Sequence, residues 1–295
     1  MILKKLDCFL IQITLNFNLM KKKISFQGLQ GAFSDLVCNK FYQNYETLPC
    51  NTFEETIYAV EKNQAEIALI PVENNIAGRV ADMHFLLETI SLKIVAEHYH
   101  KIEHHLMAKK NTNLKNLKNV FSHPHALSQC RKKILKNKLN PINFIDTAGA
   151  AKFVSEKDDQ SLGAIASELA ANIYKLKILE RNFQDSKNNI TRFLVFSKKS
   201  KEINPQKKVI TSIIFNTKNL PASLYKALGG FAENEINLTR LESLFVNKDF
   251  KQFSFLIDVE SHPDMANFKN ALSELNNYSS KIKILGHYEA SPFRK

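Results

Sequence analysis

Residues 52–75 read TFEETIYAVEKNQAEIALIPVENN, and this stretch decides the fold. Its first half places Phe53, Ile57 and Val60 on one side, which predicts an amphipathic helix. Its second half contains the apolar run 67–72, which predicts a buried strand that ends in a polar loop, ENN. A helix followed by a buried strand predicts an α/β layer, and in such folds ligands bind beyond the carboxyl ends of the strands.

The same alternation of short strands and helices extends in both directions, from residue 23 to residue 199. It predicts α/β layers around a mostly parallel sheet. The predicted strands are 24–26, 67–72, 92–108, 120–122, 143–145, 163–166 and 193–196. The predicted helices are 32–42, 52–62, 80–89, 124–137, 147–154 and 168–174.

A polar, lysine-rich segment separates this region from a second pattern. Residues 200–208 are predicted to be a linker, because the surrounding stretch KKSKEINPQKK is polar and charged. Residues 209–291 then show the order βαββαβ, which is the ferredoxin-like arrangement. A small module of this kind typically senses a ligand or dimerises. Residues 1–22 have no role in either pattern and are predicted to be a disordered extension or the result of a start site placed too early.

The composition limits the classes of function. With 44% apolar residues among 295, the chain can form a packed core. It contains no run of 18 or more apolar residues, so no membrane span is predicted. Four scattered cysteines are typical of a reducing compartment, so we expect a cytoplasmic protein. The net charge is +12, and the positive charge is concentrated in residues 1–23, 115–138 and 197–208, with the rest of the chain slightly negative. These basic runs lack the interleaved aromatics of a nucleic-acid surface, so no nucleic-acid partner is expected.

Three polar clusters lie at the ends of predicted strands, and they define the candidate site. The clusters are Glu73-Asn74-Asn75, Ser122-His123-Pro124 and residues 188–193. Ser122 is predicted to cap the helix that follows, leaving free N–H groups that suit a carboxylate. Gln129 lies two helical turns later on the same face. Arg192 is a candidate for a bidentate carboxylate clamp.

Each cluster also has a structural interpretation. A serine before a proline is commonly only a helix cap, and asparagine-rich loops are commonly turns. Arg192 has a second interpretation as an internal ion pair that shapes its loop. Four histidines, His98, His100, His104 and His105, lack a recognised metal-ligand spacing and are interpreted as surface and structural residues. No metal is expected.

Taken in order, the motifs resemble those of the prephenate dehydratase family with a carboxy-terminal ACT regulatory domain. The resemblance covers residues 23–290. It rests on FQGLQGAFS at 26–34, the quoted stretch at 52–75, SHPHALSQC at 122–130 and NNITRF at 188–193. It implies a two-lobed, periplasmic-binding-protein-like catalytic domain over residues 23–199. It also implies the loss of water and carbon dioxide from prephenate to give phenylpyruvate in phenylalanine synthesis, without a cofactor.

The resemblance assigns roles to individual residues. Thr191 would donate a hydrogen bond to the departing hydroxyl, as a donor or relay, because a threonine hydroxyl is too weak an acid to give up its proton. The expected substrate-binding residues are Asn74, Ser122, Gln129 and Arg192, together with Glu73, which would orient its neighbours, and Thr147, which would close the wall.

The resemblance also assigns a phenylalanine effector site between subunits of a homodimer or homotetramer, formed through the ACT domain. Its expected residues are Ala222, Ser223, Leu224, Asn237, Glu242 and Ser243. Ala222-Ser223-Leu224 stands where the family usually has Gly-Ala-Leu, and both changes, from Gly to Ala and from Ala to Ser, narrow the space for a ligand. Two other functions stay open: dehydration of arogenate, and a non-catalytic sensor of amino acids or organic anions.

Overall fold

The computed structural model describes residues 22–245 and 253–294. The predicted extension at 1–22 lies outside these ranges, apart from Lys22. Within the same ranges, no helix is both long enough and apolar enough to cross a membrane.

The first lobe is built from the quoted stretch and its neighbours. The helix that begins this stretch is capped as its sequence predicts, because Thr52 accepts a hydrogen bond from the Glu55 N–H at 3.1 Å. The lobe contains β1 (Lys23–Gln27), α1 (Phe33–Phe41), β2 (Glu46–Cys50), α2 (Phe53–Glu61), β3 (Ile67–Asn74), β4 (Gly78–Arg79), α3 (Ala81–Thr89), β5 (Lys93–Lys101) and, after the second lobe, β11 (Ile190–Ser197).

The second lobe is inserted between β5 and β11. It contains β6 (His105–Ala108), a short 3-10 turn (Leu114–Asn116), β7 (Asn119–Ser122), α4 (Pro124–Gln129), α5 (Arg131–Lys136), β8 (Asn140–Asn143), α6 (Thr147–Glu156), β9 (Leu162–Ala166), α7 (Glu168–Ile173) and β10 (Lys177–Glu180). The chain therefore crosses between the lobes twice, at residues 102–104 and 181–189. The prediction of a single strand at 92–108 is wrong. This segment forms two strands, β5 and β6, which belong to different sheets.

The carboxy-terminal domain follows residues 198–208, which form no helix or strand. It contains β12 (Val209–Thr217), α8 (Ser223–Glu233), β13 (Leu238–Phe245), β14 (Phe253–Val259), α9 (Ala266–Tyr278) and β15 (Ser279–Glu289). Its four strands are antiparallel in the order β13-β14-β12-β15, which is the ferredoxin-like arrangement.

Both lobes have mixed sheets. The first has parallel pairs β1–β2 and β1–β3 with β11 antiparallel between β3 and β5, and the second has the order β10-β6-β9-β7-β8. The predicted two-lobed α/β domain followed by a ferredoxin-like βαββαβ domain is confirmed, but the sheets of the lobes are mixed rather than mostly parallel. Strands β2 and β10 were not predicted. Both are short strands at sheet edges, and neither shows a buried apolar run.

The ferredoxin-like domain continues the first lobe's sheet. Strand β15 pairs in parallel with β5 through Gly286 and Ile94. A Cβ atom at Gly286 would overlap the Ile94 backbone, so this junction requires glycine. Beside it, one hydrophobic cluster joins residues of both domains, among them Leu194 and Phe196 of β11 and Leu285 of β15.

A buried charge network lies at the same junction. Arg192 in β11 is 3% exposed, and its guanidinium donates from Nε to Glu97 (2.9 Å), from Nη1 to Asp258 (2.7 Å) and from Nη2 to the Tyr288 hydroxyl (2.9 Å). Arg294 donates two further hydrogen bonds to Glu97, at 2.7 and 3.1 Å. Two guanidinium groups thus face two buried carboxylates contributed by both domains.

The network changes the pKa of Asp258. Burial alone would raise this pKa, but the charges of Arg192 and Arg240 and a hydrogen bond from Ser212 outweigh burial and hold it below its ordinary value. A carboxyl whose pKa is lowered by folding stabilises the protein above its unfolded pKa. That contribution is lost as the pH falls through the folded pKa.

We therefore expect Asp258→Asn to lower the free energy of unfolding at pH 7 by about 3–5 kcal/mol, because it leaves the Arg192 charge without one of its buried partners. The difference between variant and wild type should shrink as the pH falls below about 4, the ordinary pKa of an aspartate, because the unfolded wild-type chain then takes up a proton that the folded chain resists. Urea unfolding at several pH values measures both effects.

Asp264→Asn is the matched control, because Asp264 is an exposed aspartate of the same domain. Its expected effect is within about 0.5 kcal/mol. Equal effects of the two substitutions at pH 7 would contradict the assignment of the network as a stabilising junction.

Candidate active site

A cleft of about 800 Å³ lies between the two lobes. Residues from β1, β3 and β4 and from the starts of α1 and α2 form one wall, and residues from α4 and from the start of α6 form the other. Strand β11 contributes Thr191 and Phe193 to the floor. The ends of several strands therefore converge on one cavity, as the sequence predicts for this class of fold.

Strand geometry places Thr191 in this cleft. Thr191 pairs with Asn74 across β11 and β3, and successive side chains of a strand point to opposite faces. Thr191 and Phe193 therefore line the cleft, whereas Arg192 points to the ferredoxin-like domain. One strand thus carries both the candidate hydroxyl and the buried charge of the domain junction.

Asn74 is held in one orientation by the main chain. Its Oδ1 accepts hydrogen bonds from the N–H groups of Ile76 (2.9 Å) and Ala77 (2.7 Å), so its Nδ2 must point the other way. That Nδ2 donates to Thr191 Oγ1 (2.9 Å) and to Asn189 Oδ1 (2.7 Å). Because Thr191 Oγ1 already accepts a hydrogen bond, its own hydrogen is left to be donated to a ligand.

The side-chain amides of Asn189 and Gln129 continue this pattern, in which each nitrogen donates to the next oxygen. Asn189 Nδ2 donates to Gln129 Oε1 at 2.8 Å, and His104 Nε2 lies 2.9 Å from the same oxygen. The Gln129 oxygen is therefore occupied by two protein groups. Its Nε2 has no hydrogen-bond partner within residues 22–245 and 253–294, and Gln129 lines the cleft, so this amide is a second donor for a ligand.

Helix starts add further positive potential. Phe33 and Ser34 in the first turn of α1 line the cleft, and the N-cap, Ala32, provides no side-chain hydrogen bond to this turn. Thr147 begins α6 at the opposite wall, but this start is capped by Asp146, which accepts from the Gly149 N–H at 2.6 Å, so α1 provides the uncapped helix start. Free N–H groups at helix starts favour an anion. Of the described residues that line the cleft, Arg79 is the one lysine or arginine, and Glu54, Asp82 and Asp146 are the carboxylates.

Four of the seven predicted residues come together in the cleft: Asn74, Gln129, Thr147 and Thr191. Ser122 does not line it. Its hydroxyl is buried and donates to the Ile165 carbonyl at 2.6 Å, and the N-cap of α4 is His123, whose Nδ1 accepts from the His125 N–H at 3.3 Å. The expectation that Ser122 caps this helix and faces the ligand is therefore wrong by one position, because Ser122 is still the last residue of strand β7.

Arg192 and Glu73 also lie outside the cleft. The carboxylate clamp expected of Arg192 is not formed, since all three of its nitrogens are directed at Glu97, Asp258 and Tyr288. The alternative interpretation, an internal ion pair, describes what is observed. Glu73 lies on the same face of the sheet, 3.8 Å from Arg192 Nη1.

The predicted effector residues fall into two groups. Ala222, Ser223 and Leu224 line a cavity of about 280 Å³ at the start of α8. Asn237, Glu242 and Ser243 lie elsewhere on the chain, at or near β13, and do not line this cavity. Asn237 Nδ2 donates to Glu260 at 3.0 Å. Arg79 Nη1 reaches both Glu242 (3.5 Å) and the Ser243 carbonyl (3.4 Å) from the rim of the cleft.

Sequence reasoning missed two residues of the site. Asn189 was quoted within NNITRF but given no role, although it connects Asn74 with Gln129. His104 was interpreted as surface or structural, but it is 4% exposed and lines the cleft. Its position at the end of the first crossing between the lobes was the available signal, and the single strand predicted at 92–108 concealed it.

Comparisons with known proteins identify the family of the chain. The prephenate dehydratase family matches residues 24–201. A bifunctional N-acyl-homoserine lactone acylase/prephenate dehydratase of Komagataeibacter europaeus is 42% identical over 273 residues, which cover 92% of this chain and 97% of that protein. Arogenate dehydratase 2 of Petunia hybrida is 35% identical over 280 residues, covering 90% and 71%.

Among solved structures, a prephenate dehydratase from Arthrobacter aurescens in complex with L-Phe superposes with a TM-score of 0.83 at 25% identity, covering 91% of this chain and 90% of that chain. The family match spans more than half of the sequence, and the relatives align over nearly all of it. The chain therefore belongs to the prephenate dehydratase family.

Proposed function

We propose that the cleft converts prephenate into phenylpyruvate, water and carbon dioxide. The observation that carries this proposal is the Thr191 hydroxyl, which accepts a hydrogen bond from Asn74 and keeps its own hydrogen free inside a cleft that Gln129 also lines. A reaction that expels hydroxide from an anionic substrate requires such a donor together with groups that bind carboxylates.

The chemistry needs no external electron carrier. The bond between the ring and its carboxylate breaks, and its electron pair moves into the ring while the bond from the ring to the hydroxyl oxygen breaks. One proton is taken up, so the hydroxide leaves as water and the ring becomes aromatic. Thr191 donates a hydrogen bond to the departing oxygen, and because its hydroxyl is a weak acid, the proton consumed comes through it from solvent rather than from the side chain alone.

The remaining residues bind and orient the substrate. The Gln129 amide nitrogen and the free N–H groups at the start of α1 are placed to hold carboxylates, and Thr147 closes the opposite wall. Donors that are fixed before the substrate arrives need no rearrangement during the reaction, which is the basis of electrostatic catalysis. We assign no substrate contact to Arg192, Ser122 or Glu73.

Prephenate and arogenate differ only in the side chain, where an ammonium group replaces the keto oxygen. The purified protein is expected to turn over prephenate, measured by the formation of phenylpyruvate, with arogenate tested in parallel by the formation of phenylalanine. Thermal stabilisation by both compounds without turnover of either would contradict the enzyme assignment and favour a sensor.

Thr191→Val is expected to lower kcat on prephenate by about 100-fold or more, because it keeps the shape of the side chain and removes the donor. Thr191→Ser is the matched control and should retain most of the activity, since it keeps the hydroxyl. Steady-state kinetics with both variants tests the role; a Val variant within about threefold of wild type would remove Thr191 from the mechanism.

We further propose that the ferredoxin-like domain is an ACT domain that binds L-phenylalanine. The cavity at the start of α8 is lined by Ser223, whose buried Oγ has no hydrogen-bond partner among the described residues. Leu224 and Phe255 give the same cavity apolar walls. A polar group without a partner beside apolar walls suits an amino acid with an aromatic side chain.

The proposed assembly is a homodimer or homotetramer through this domain. Exposed apolar side chains at Leu220, Tyr225, Leu241 and Phe253 support it, since they lie near the edge strand β13 or the start of α8. We propose a cytoplasmic location, which agrees with the free cysteines Cys38, Cys50 and Cys130.

Ala222 adopts a left-handed backbone conformation with φ of 60°, which costs a residue with a Cβ atom about 1 kcal/mol. We expect Ala222→Gly to raise the free energy of unfolding by about that amount and to tighten inhibition by L-phenylalanine, because glycine relieves the strain and widens the cavity. Urea unfolding and inhibition curves measure the two effects.

Ala232→Gly in the same helix is the matched control and should destabilise the protein by up to about 1 kcal/mol, since its backbone is helical and its side chain is exposed. If Ala222→Gly destabilised the protein to the same degree, the strain at position 222 would be disproved.

A further inference from the structure

The side-chain amides of Asn74, Asn189 and Gln129 form a hydrogen-bonded series in the cleft, which we call the amide relay. The relay has a defined direction, and it ends at His104. The backbone N–H groups of Ile76 and Ala77 fix the oxygen of Asn74, and each following amide then donates to the next oxygen, as far as Gln129 Oε1. An oxygen cannot donate, so the nitrogen of His104 that faces Gln129 Oε1 at 2.9 Å must carry a hydrogen. The geometry therefore defines the tautomer of His104 as Nε2–H.

The surroundings of His104 keep this ring neutral and fixed. Burial lowers the pKa of His104 to about 4, although the hydrogen bond to Gln129 opposes the decrease. The His104 backbone N–H donates to Gln184 Oε1 at 2.9 Å, and the ring contacts Phe33 edge-on with centroids 5.1 Å apart. Its Nδ1 is buried and has no hydrogen-bond partner among the described residues.

We propose that His104 is a positioning residue for the dehydratase reaction: its Nε2–H holds the Gln129 oxygen, so that the Gln129 amide nitrogen faces the substrate. This inference rests on the proposed function. Without His104, the Gln129 oxygen would keep only the hydrogen bond from Asn189, and its amide could rotate to present the oxygen to an anionic substrate, which would repel it. His104 acts through Gln129, so it is not itself a catalytic residue.

Two substitutions separate the roles of the two ring nitrogens. His104→Gln places an amide nitrogen near the position of Nε2 and preserves the donor to Gln129. His104→Asn is shorter, so its polar atoms lie near the position of Nδ1 and the donor to Gln129 is lost. We expect His104→Gln to remain within about threefold of wild type in kcat/KM. We expect His104→Asn to lose about 10- to 100-fold, the scale of a misplaced substrate contact.

The reverse order, with His104→Asn active and His104→Gln impaired, would overturn the proposal, and so would equal losses in both variants. A Gln129→Leu background supplies a second control. Because His104 acts through Gln129, His104→Asn should cause little further loss in that background, whereas independent roles would give multiplied losses. Thermal unfolding of each variant identifies any loss that comes from misfolding.

The tautomer can be measured without activity. Long-range ¹H–¹⁵N spectra of the wild-type imidazoles should show His104 protonated at Nε2 and bare at Nδ1 between pH 5 and pH 8. A proton at Nδ1 would overturn the relay. If the wild type turned over neither prephenate nor arogenate, the proposed function would fail, while this spectrum would still decide whether His104 holds Gln129.

Discussion

The buried guanidinium of Arg192 ties the active-site strand to the second domain. Removing a charge from water costs several kcal/mol, and hydrogen bonds to Glu97, Asp258 and Tyr288 offset that cost. Glu97 belongs to the first lobe and the other two partners to the ferredoxin-like domain. The arrangement that satisfies the charge therefore also fixes how the domains meet. The backbone contact at Gly286 lies at the same junction and allows the two sheets to continue as one.

Side chains alternate between the two faces of a β-strand, and in β11 this alternation connects the domain junction to the candidate active site. Thr191 and Arg192 are neighbours in β11, so a strand position that directs one side chain into the cleft directs the other into the domain junction. Any shift of β11 that improved the contacts of Arg192 would move the Thr191 hydroxyl, and the reverse also holds. A change in the ferredoxin-like domain that displaces Asp258 or Tyr288 would therefore also displace Arg192 and, through strand β11, the Thr191 hydroxyl.

The alternation of helices and buried strands predicted both domains, because periodicity is a local property of the sequence. The convergence of Asn74, Gln129, Thr147 and Thr191 was also predictable, since ligands in such folds bind at strand ends. The partners of Arg192 were not. They lie 95 and 66 residues away, at Glu97 and Asp258, and no local pattern distinguishes an arginine that clamps a ligand from one that pairs internally. The prediction for Ser122 was wrong for a related reason. A difference of one residue in where a strand ends decides whether a hydroxyl lies in the strand or caps the next helix.

The donors that we propose for the anionic substrate are mainly a hydroxyl, an amide and backbone N–H groups rather than lysines and arginines, and this choice has a physical basis. An amide can donate or accept, so an unconstrained amide could turn its oxygen towards a carboxylate. The chain avoids this ambiguity by starting the relay at two backbone N–H groups, which can only donate, and by passing that direction through Asn74 and Asn189 to Gln129. A histidine that stays neutral fits the end of such a relay, because its Nε2–H fixes the last oxygen without adding a charge that would also hold the anionic product.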